Sequence, residues 1–281
     1  MLLAIDSGNT NVVFALIKDA GIAAPLESAG IAAQWRIEAH DARTGDEYFV
    51  WLSQLMALKG LIPTNISNAI ICNVRPASAF ALGRLCREHL GIEPLIVGNQ
   101  VALDIRIDQP EQLGADRIVN AIAAQSMGLT PAILIDMGTA TTFDVLAYDG
   151  AYVGGMIAPG LHVSAKALAQ AAAQLPLVSV EQPPSPIGTD TRTALQSGLF
   201  WGYVSMLEGM IARTKAVMVK EGHAQSLQSI QVVGTGGLMK ILAVGIDEMN
   251  RIEPDLTLKG LKVIFETEQQ RAKGSRIKET M

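Results

Sequence analysis

The feature that most constrains this chain is a near-repetition within it. An apolar run ending at Ile5 is followed by Asp6-Ser7-Gly8-Asn9-Thr10. At a distance of 130 residues, an apolar run ending at Ile135 is followed by Asp136-Met137-Gly138-Thr139-Ala140-Thr141. Each copy is a strand, an acid, a glycine two residues on, small hydroxyl or amide residues, and another strand. The offset is close to half of the 281 residues. Repetition at domain length reads as a duplicated domain whose two equivalent turns face one cleft.

The rest of the chain is organised to match. Short apolar runs alternate with longer helical patterns, the signature of an α/β protein. Strands are expected at Leu2 to Ile5, Val12 to Ile17, Ala32 to Ile37, Ala69 to Asn73 and Pro94 to Val97, with helices at Asp46 to Lys59 and Ala77 to His89. The second half opens on a helix at Ala115 to Met127. Strands follow at Ala132 to Ile135, Thr142 to Ala147, Tyr152 to Ile157 and Ile230 to Val233, and helices at Leu161 to Ala173, Thr191 to Lys220 and from Leu238. This gives an N-terminal domain over 1–114, a C-terminal domain over 115–265, and a polar tail over 266–281 expected to be disordered. Pro176, Pro183, Pro184 and Pro186 stiffen a surface loop before Gly188, and Thr189, Asp190 and Thr191 offer N-caps for the long helix that follows. That helix carries Gly198, Gly202 and Gly209, which suits packing against another backbone, in a dimer for example.

Composition excludes several classes. With 49% hydrophobic and 17% charged residues the chain fills a sizeable core. A net charge of −5 gives no footprint for a phosphate polymer, so nucleic acid is not expected as a partner. Cys72 and Cys86 lack CxxC spacing, and His40, His89, His162 and His223 form no HExxH pair, so buried, reduced thiols are the plain reading. Asp6 stops the first apolar run with no basic stretch before it, and no segment approaches the ~18 to 20 apolar residues of a membrane span. A cytoplasmic protein without membrane contact is expected.

Chemistry concentrates in the turns. A glycine-containing β-turn presents backbone N–H groups and hydroxyls to an anion, and a carboxylate beside it can hold the metal that accompanies a nucleotide phosphate. A third element, Val232-Val233-Gly234-Thr235-Gly236-Gly237, runs from a strand into a glycine-rich turn and a helix. It is neither a Rossmann fingerprint nor a phosphate loop. With the two Asp-x-Gly turns it supplies a platform where an adenosine can lie against bare backbone, and the three together describe an actin-like ATP cleft. Asp116, in Gly114-Ala115-Asp116-Arg117, opens a helix whose dipole and neighbouring arginine should keep the carboxylate ionised; the plain alternative is a helix N-cap paired with Arg117.

In this combination and order the chain resembles the type III pantothenate kinases, also called the Bvg accessory factor family. The motifs are Asp6-Ser7-Gly8-Asn9-Thr10-Asn11, Gly114-Ala115-Asp116-Arg117, Asp136-Met137-Gly138-Thr139-Ala140-Thr141, Gly154-Gly155 with Ile157-Ala158-Pro159-Gly160, and Gly234-Thr235-Gly236-Gly237. The resemblance runs from Met1 to about Leu261. It implies the acetate and sugar kinase/chaperone/actin superfamily fold, α/β with two ribonuclease-H-like domains, and ATP-dependent phosphorylation of pantothenate at the first step of coenzyme A synthesis by a homodimer. It further implies that Asp6, Ser7, Gly8, Asn9, Thr10, Asn11, Val12 and Val13 meet the ATP phosphates, with Asp6 on Mg²⁺. Thr139 also meets ATP, and Gly234, Gly236 and Gly237 form the nucleotide platform. Gly114, Ala115, Asp116, Arg117 and Thr191 would hold pantothenate, Asp116 would accept the proton, and Asp136 would bind a monovalent cation, K⁺ or NH₄⁺. Many members have Tyr where this chain has Ile107, which puts that polar contact in question.

Two other readings stay open at this stage. One is a kinase or phosphatase of the same superfamily acting on a sugar or polyphosphate, against which the Gly-Ala-Asp-Arg stretch argues. The other is a non-catalytic regulator, which would be expected to lose an acid, whereas Asp6, Asp116 and Asp136 are all present.

Overall fold

The computed structural model describes residues 1–18, 30–98, 101–172 and 175–279, with the side chains of 274–279 not described. The expected helix end at Ala173 and the last two tail residues lie outside these. The chain forms two compact units, each built on a five-stranded mixed sheet.

In the first unit, β1 (Leu2–Ser7) is a nearly continuous apolar run, as a strand buried on both faces requires. It pairs antiparallel with β2 (Asn11–Ile17), which pairs antiparallel with β3 (Ile31–Glu38). On its other side β1 pairs parallel with β4 (Asn68–Asn73), and β4 with the short β5 (Leu95–Ile96). The order is β3-β2-β1-β4-β5. One face packs against α1 (Gly45–Ala57) and α2 (Pro76–Arg84) through Leu3, Ile5 and Phe14 against Tyr48, Leu52 and Leu82. Helix α1 begins at a capping box in which Thr44 and Glu47 satisfy each other's backbone N–H groups. The expected helix to His89 leaves α geometry at Arg84 and continues as a wider π turn over Leu85–His89.

Two helices from beyond residue 114 complete this unit, the first expected in the C-terminal domain and the second not expected as a helix. Helix α3 (Ala115–Ser126) and the C-terminal α7 (Leu256–Glu279) pack on each other and against β1 and β4. They approach so closely that a Cβ at Gly260 would lie 2.2 Å from the Val119 carbonyl oxygen. Thr257 Oγ1 donates to the buried Asn120 Oδ1 at 2.8 Å. The units are therefore discontinuous in sequence, 1–103 with 111–127 and 255–281 against 104–110 with 128–254, and do not divide at 114. Helix α7 runs on through Glu279, and its polar stretch is held by spaced ion pairs, Lys262 with Glu266 at 3.9 Å and Arg271 with Glu268 at 2.6 Å.

The second unit repeats the topology. Strands β6 (Ala132–Met137), β7 (Ala140–Leu146) and β8 (Tyr152–Pro159) form an antiparallel meander. Strand β9 (Gln231–Thr235) pairs parallel with β6, and the two-residue β10 (Arg251–Ile252) pairs parallel with β9. Listed outward from the third strand, the order β8-β7-β6-β9-β10 matches that of the first sheet. Helices α4 (Leu161–Ala171) and α5 (Thr191–Lys220), with the single turn α6 (Met239–Leu242), cover one face through Leu161, Phe200, Leu207 and Met239. The helix expected from Leu238 is only that turn and a 3₁₀ turn ending at Gly245. Among the described residues no helix is long and apolar enough to cross a membrane.

Candidate active site

In the first unit, β1 delivers Asp6 to the end of the sheet, where it pairs with Val13 on one side and Cys72 on the other. The chain reverses over Gly8–Asn11, closed by Gly8 N–H donating to the Asn11 carbonyl at 3.0 Å. Asn9 and Thr10 stand exposed at its tip. The turn is braced from outside. Ala39 N–H donates to the Thr10 carbonyl at 2.8 Å, and Arg75 Nη1 to the Asn9 carbonyl at 3.2 Å, while Arg75 is paired with Asp41 at 2.6 Å. Sequence reasoning missed Arg75, which carries no local signal beyond preceding Pro76. Ser7 is fully buried, its hydroxyl without a hydrogen-bond partner among the described residues. Val12 and Val13 are buried in β2, so they have only backbone to offer a ligand.

Asp116 lies in the first turn of α3, half-buried, in the same unit. The N-cap is Gly114, so the reading of Asp116 as the cap is corrected. Its Oδ1 accepts the Arg117 backbone N–H at 2.8 Å. Burial pushes the Asp116 carboxyl above its ordinary range, against the lowering effect of that hydrogen bond and of the Arg117 charge. The helix dipole and Arg117, expected to keep the carboxylate ionised, are thus opposed by burial. Cys72 ties the two acids together. It is fully buried, its thiol is raised well above the usual range, first by burial and then by the charges of Asp6 and Asp116. Asp6 pairs with Cys72 in the sheet, and the helix that carries Asp116 packs on the same strand, β4.

In the second unit, Asp136 is the penultimate residue of β6, between Thr142 and Thr235. Gly138 N–H donates to the Ala140 carbonyl at 3.0 Å and Gly160 N–H to the Thr139 carbonyl at 3.1 Å, leaving the Thr139 side chain exposed. The glycine turn after β9 folds back onto this acid. Gly236 has φ of +90°, and a Cβ there would lie 2.6 Å from the Met137 carbonyl oxygen and 2.8 Å from Asp136 Oδ1. Gly234 is buried and Gly237 exposed beside it. Beyond the turn a shallow groove of about 360 Å³ is lined by Lys240, Val244, Met249 and Arg251, among others. Thr191 is exposed at the first position of α5, whose cap is Asp190, with Thr193 N–H donating to its carboxylate at 2.9 Å. Ile107 is half-buried, just past a bridge between Ile105 and Tyr152.

Two sheets of matching order, each with a hairpin turn after a first strand whose penultimate residue is an acid, define an actin-like ATPase fold, the architecture of acetate and sugar kinases, chaperones and actin. Solved structures agree on the fold. One from Campylobacter jejuni, described as a Baf family transcriptional activator, has a TM-score of 0.54 at 19% identity over 95% of this chain and 99% of that one. One from Sinorhizobium meliloti, described as a 2-dehydro-3-deoxygalactonokinase, has a TM-score of 0.53 at 13% identity over 95% of this chain and 96% of that one. Within that class the chain belongs to the type III pantothenate kinase family, whose model matches residues 2–213. The type III pantothenate kinase of Rhodospirillum centenum is 45% identical over 95% of this chain and 98% of that protein, and that of Caulobacter vibrioides 43% identical over 94% and 97%.

Proposed function

We propose that this protein transfers the γ-phosphoryl group of ATP to the primary hydroxyl of pantothenate, giving 4'-phosphopantothenate and ADP at the first step of coenzyme A synthesis. The observation that carries the reading is the pair Asp6 and Asp116, two acids from distant parts of the sequence, one on β1 beside β4 and the other opening a helix that packs on β4, in a chain of this family. The pantothenate oxygen attacks phosphorus, the bond to the β-phosphate oxygen breaks, and the hydroxyl proton passes to the Asp116 carboxylate. The transition state is loose, so positioning and charge neutralisation supply most of the acceleration and the base acts late. A carboxyl raised by burial suits that task, because it accepts a proton more readily than an exposed one.

The turn residues Asp6 to Asn11, with the backbone of Val12 and Val13, are assigned to the ATP phosphates. Thr139 is assigned to ATP, and Gly234, Gly236 and Gly237 to the nucleoside. Ala115 and Thr191 are assigned to pantothenate, together with Arg117, whose guanidinium suits the substrate carboxylate. Among the described residues no three His, Cys, Asp or Glu side chains gather as metal ligands. The half-buried Asp6 beside the orphan hydroxyl of Ser7 instead fits Mg²⁺, which is typically held by one or two carboxylates plus phosphate oxygens. Magnesium supplies charge neutralisation on the phosphates. Asp136 is assigned to a monovalent cation, K⁺ or NH₄⁺, its carboxylate standing at the end of the sheet where the glycine turn at Gly236 packs closely against it.

The working unit is proposed to be a homodimer. On α5 nothing beyond the helix's own backbone lies, among the described residues, within 4 Å of where a Cβ would stand at Gly198 or Gly202, and Ile157, Val163, Leu168 and Ile187 of the same unit are exposed apolar side chains. A cytoplasmic location suits the free, buried thiols of Cys72 and Cys86. The test is product identification. Phosphorus NMR of an incubation with MgATP and pantothenate should show a new phosphomonoester growing in step with ADP. A new resonance that is inorganic phosphate alone would overturn the proposal.

A further inference from the structure

The carboxylate of Asp116 occupies room left by a residue without a side chain. Gly114 caps α3 with φ of −59° and ψ of 142°, a conformation open to any residue, so backbone freedom does not account for glycine there. Capping does not account for it either, since Gly114 makes no side-chain cap and Ser, Asp or Asn would cap better. What a side chain would meet does account for it. A Cβ at 114 would lie 2.6 Å from Asp116 Oδ1, far inside contact distance. The same oxygen accepts the Arg117 N–H at 2.8 Å. The oxygen is thus pinned by an amide in the very space that a methyl group at 114 would take.

We infer that Gly114 is a positioning residue that acts on phosphoryl transfer through Asp116, by keeping open the volume its carboxylate occupies, and not as a contact to pantothenate. The inference rests on the reading of Asp116 as proton acceptor. Any side chain at 114 forces the carboxylate to rotate, which breaks its bond to the Arg117 N–H and moves the accepting oxygen. Misplacement by about 1 Å costs on the order of 10²-fold in rate.

The test uses Gly114→Ala and Gly114→Ser in the full chain, with kcat and KM for pantothenate, a pH–rate profile and Tm for each. Serine is the better cap, so Gly114→Ser should melt no lower than wild type. Both variants should lose about 10- to 100-fold in kcat while KM for pantothenate stays within about 3-fold. The acid limb of the kcat profile should move upward, because the carboxylate has lost a donor that favours its charged form. In the Asp116→Asn background Gly114→Ala should cause no further loss. Retained kcat, a rise in KM of about 10-fold at unchanged kcat, or a further loss in the double variant would each overturn the inference. So would a Tm lowered in Gly114→Ser, which would mean that the space serves packing. Asp116→Asn with wild-type kcat would remove the proton-acceptor reading, and this role with it. An inactive Asp116→Asn beside a fully active Gly114→Ala would remove the role of Gly114 alone.

Discussion

At Asp116 burial and hydrogen bonding pull in opposite directions, and burial wins. Asp116→Asn keeps the shape and removes the acceptor, so kcat should fall on the order of 10²- to 10⁴-fold in steady-state assays at saturating substrates. The pH dependence has a definite sign. The base must be ionised, so kcat falls as pH drops through a midpoint above the ordinary carboxylate range. For stability the sign is reversed. Folded Asp116 binds its proton more readily than the unfolded chain, so its contribution is most favourable at low pH and declines as pH rises through the window between the two pKa values. Asp116→Asn should therefore melt no lower than wild type at neutral pH. A near-wild-type kcat in the folded variant would contradict the assignment. The identity of Asp116 as a candidate was legible from Gly-Ala-Asp-Arg, but its environment was not. A helix dipole and an adjacent Arg argue for an ordinary acid, and the opposing burial comes from tertiary packing that no local pattern records.

Helix α3 holds Asp116 in place only as well as α7 holds α3. At their contact Gly260 meets the Val119 backbone with no room for a methyl group. Gly260→Ala should thus destabilise the fold by about 1–3 kcal/mol, read as a lower urea midpoint at unchanged slope. An unchanged midpoint would show that the helices part without cost. Strands were the most legible elements, since Leu2 to Ile5 and Ala132 to Ile135 are apolar runs bounded by an acid. Helix α7 was not legible. Leu256, Leu258, Lys259, Leu261 and Lys262 are all buried, so its first turns show no one-sided stripe, and two buried lysines read as surface. Strand β10 is two residues long and exists through its pairing with β9, a partner that local sequence does not name.

For the whole molecule, the duplicated turn at Asp6 and Asp136 foretold two sheets of one topology, which the matching strand orders bear out. The division of the chain was harder to read, because α3 and α7 cross to the first unit by packing and not by sequence proximity. The assignment of Asp136 to a monovalent cation predicts faster turnover when Na⁺ buffer is exchanged for K⁺ or NH₄⁺, and equal rates in all three would remove that role. The open glycine face of α5 predicts a particle of twice the monomer mass by light scattering, and a monomeric active enzyme would contradict it. The most direct measurement of the central claim is ADP release by purified protein with MgATP, with and without pantothenate. The account predicts steady ADP release that depends on pantothenate and stops when it is exhausted. ADP release that is absent, or that proceeds equally without pantothenate, would contradict it.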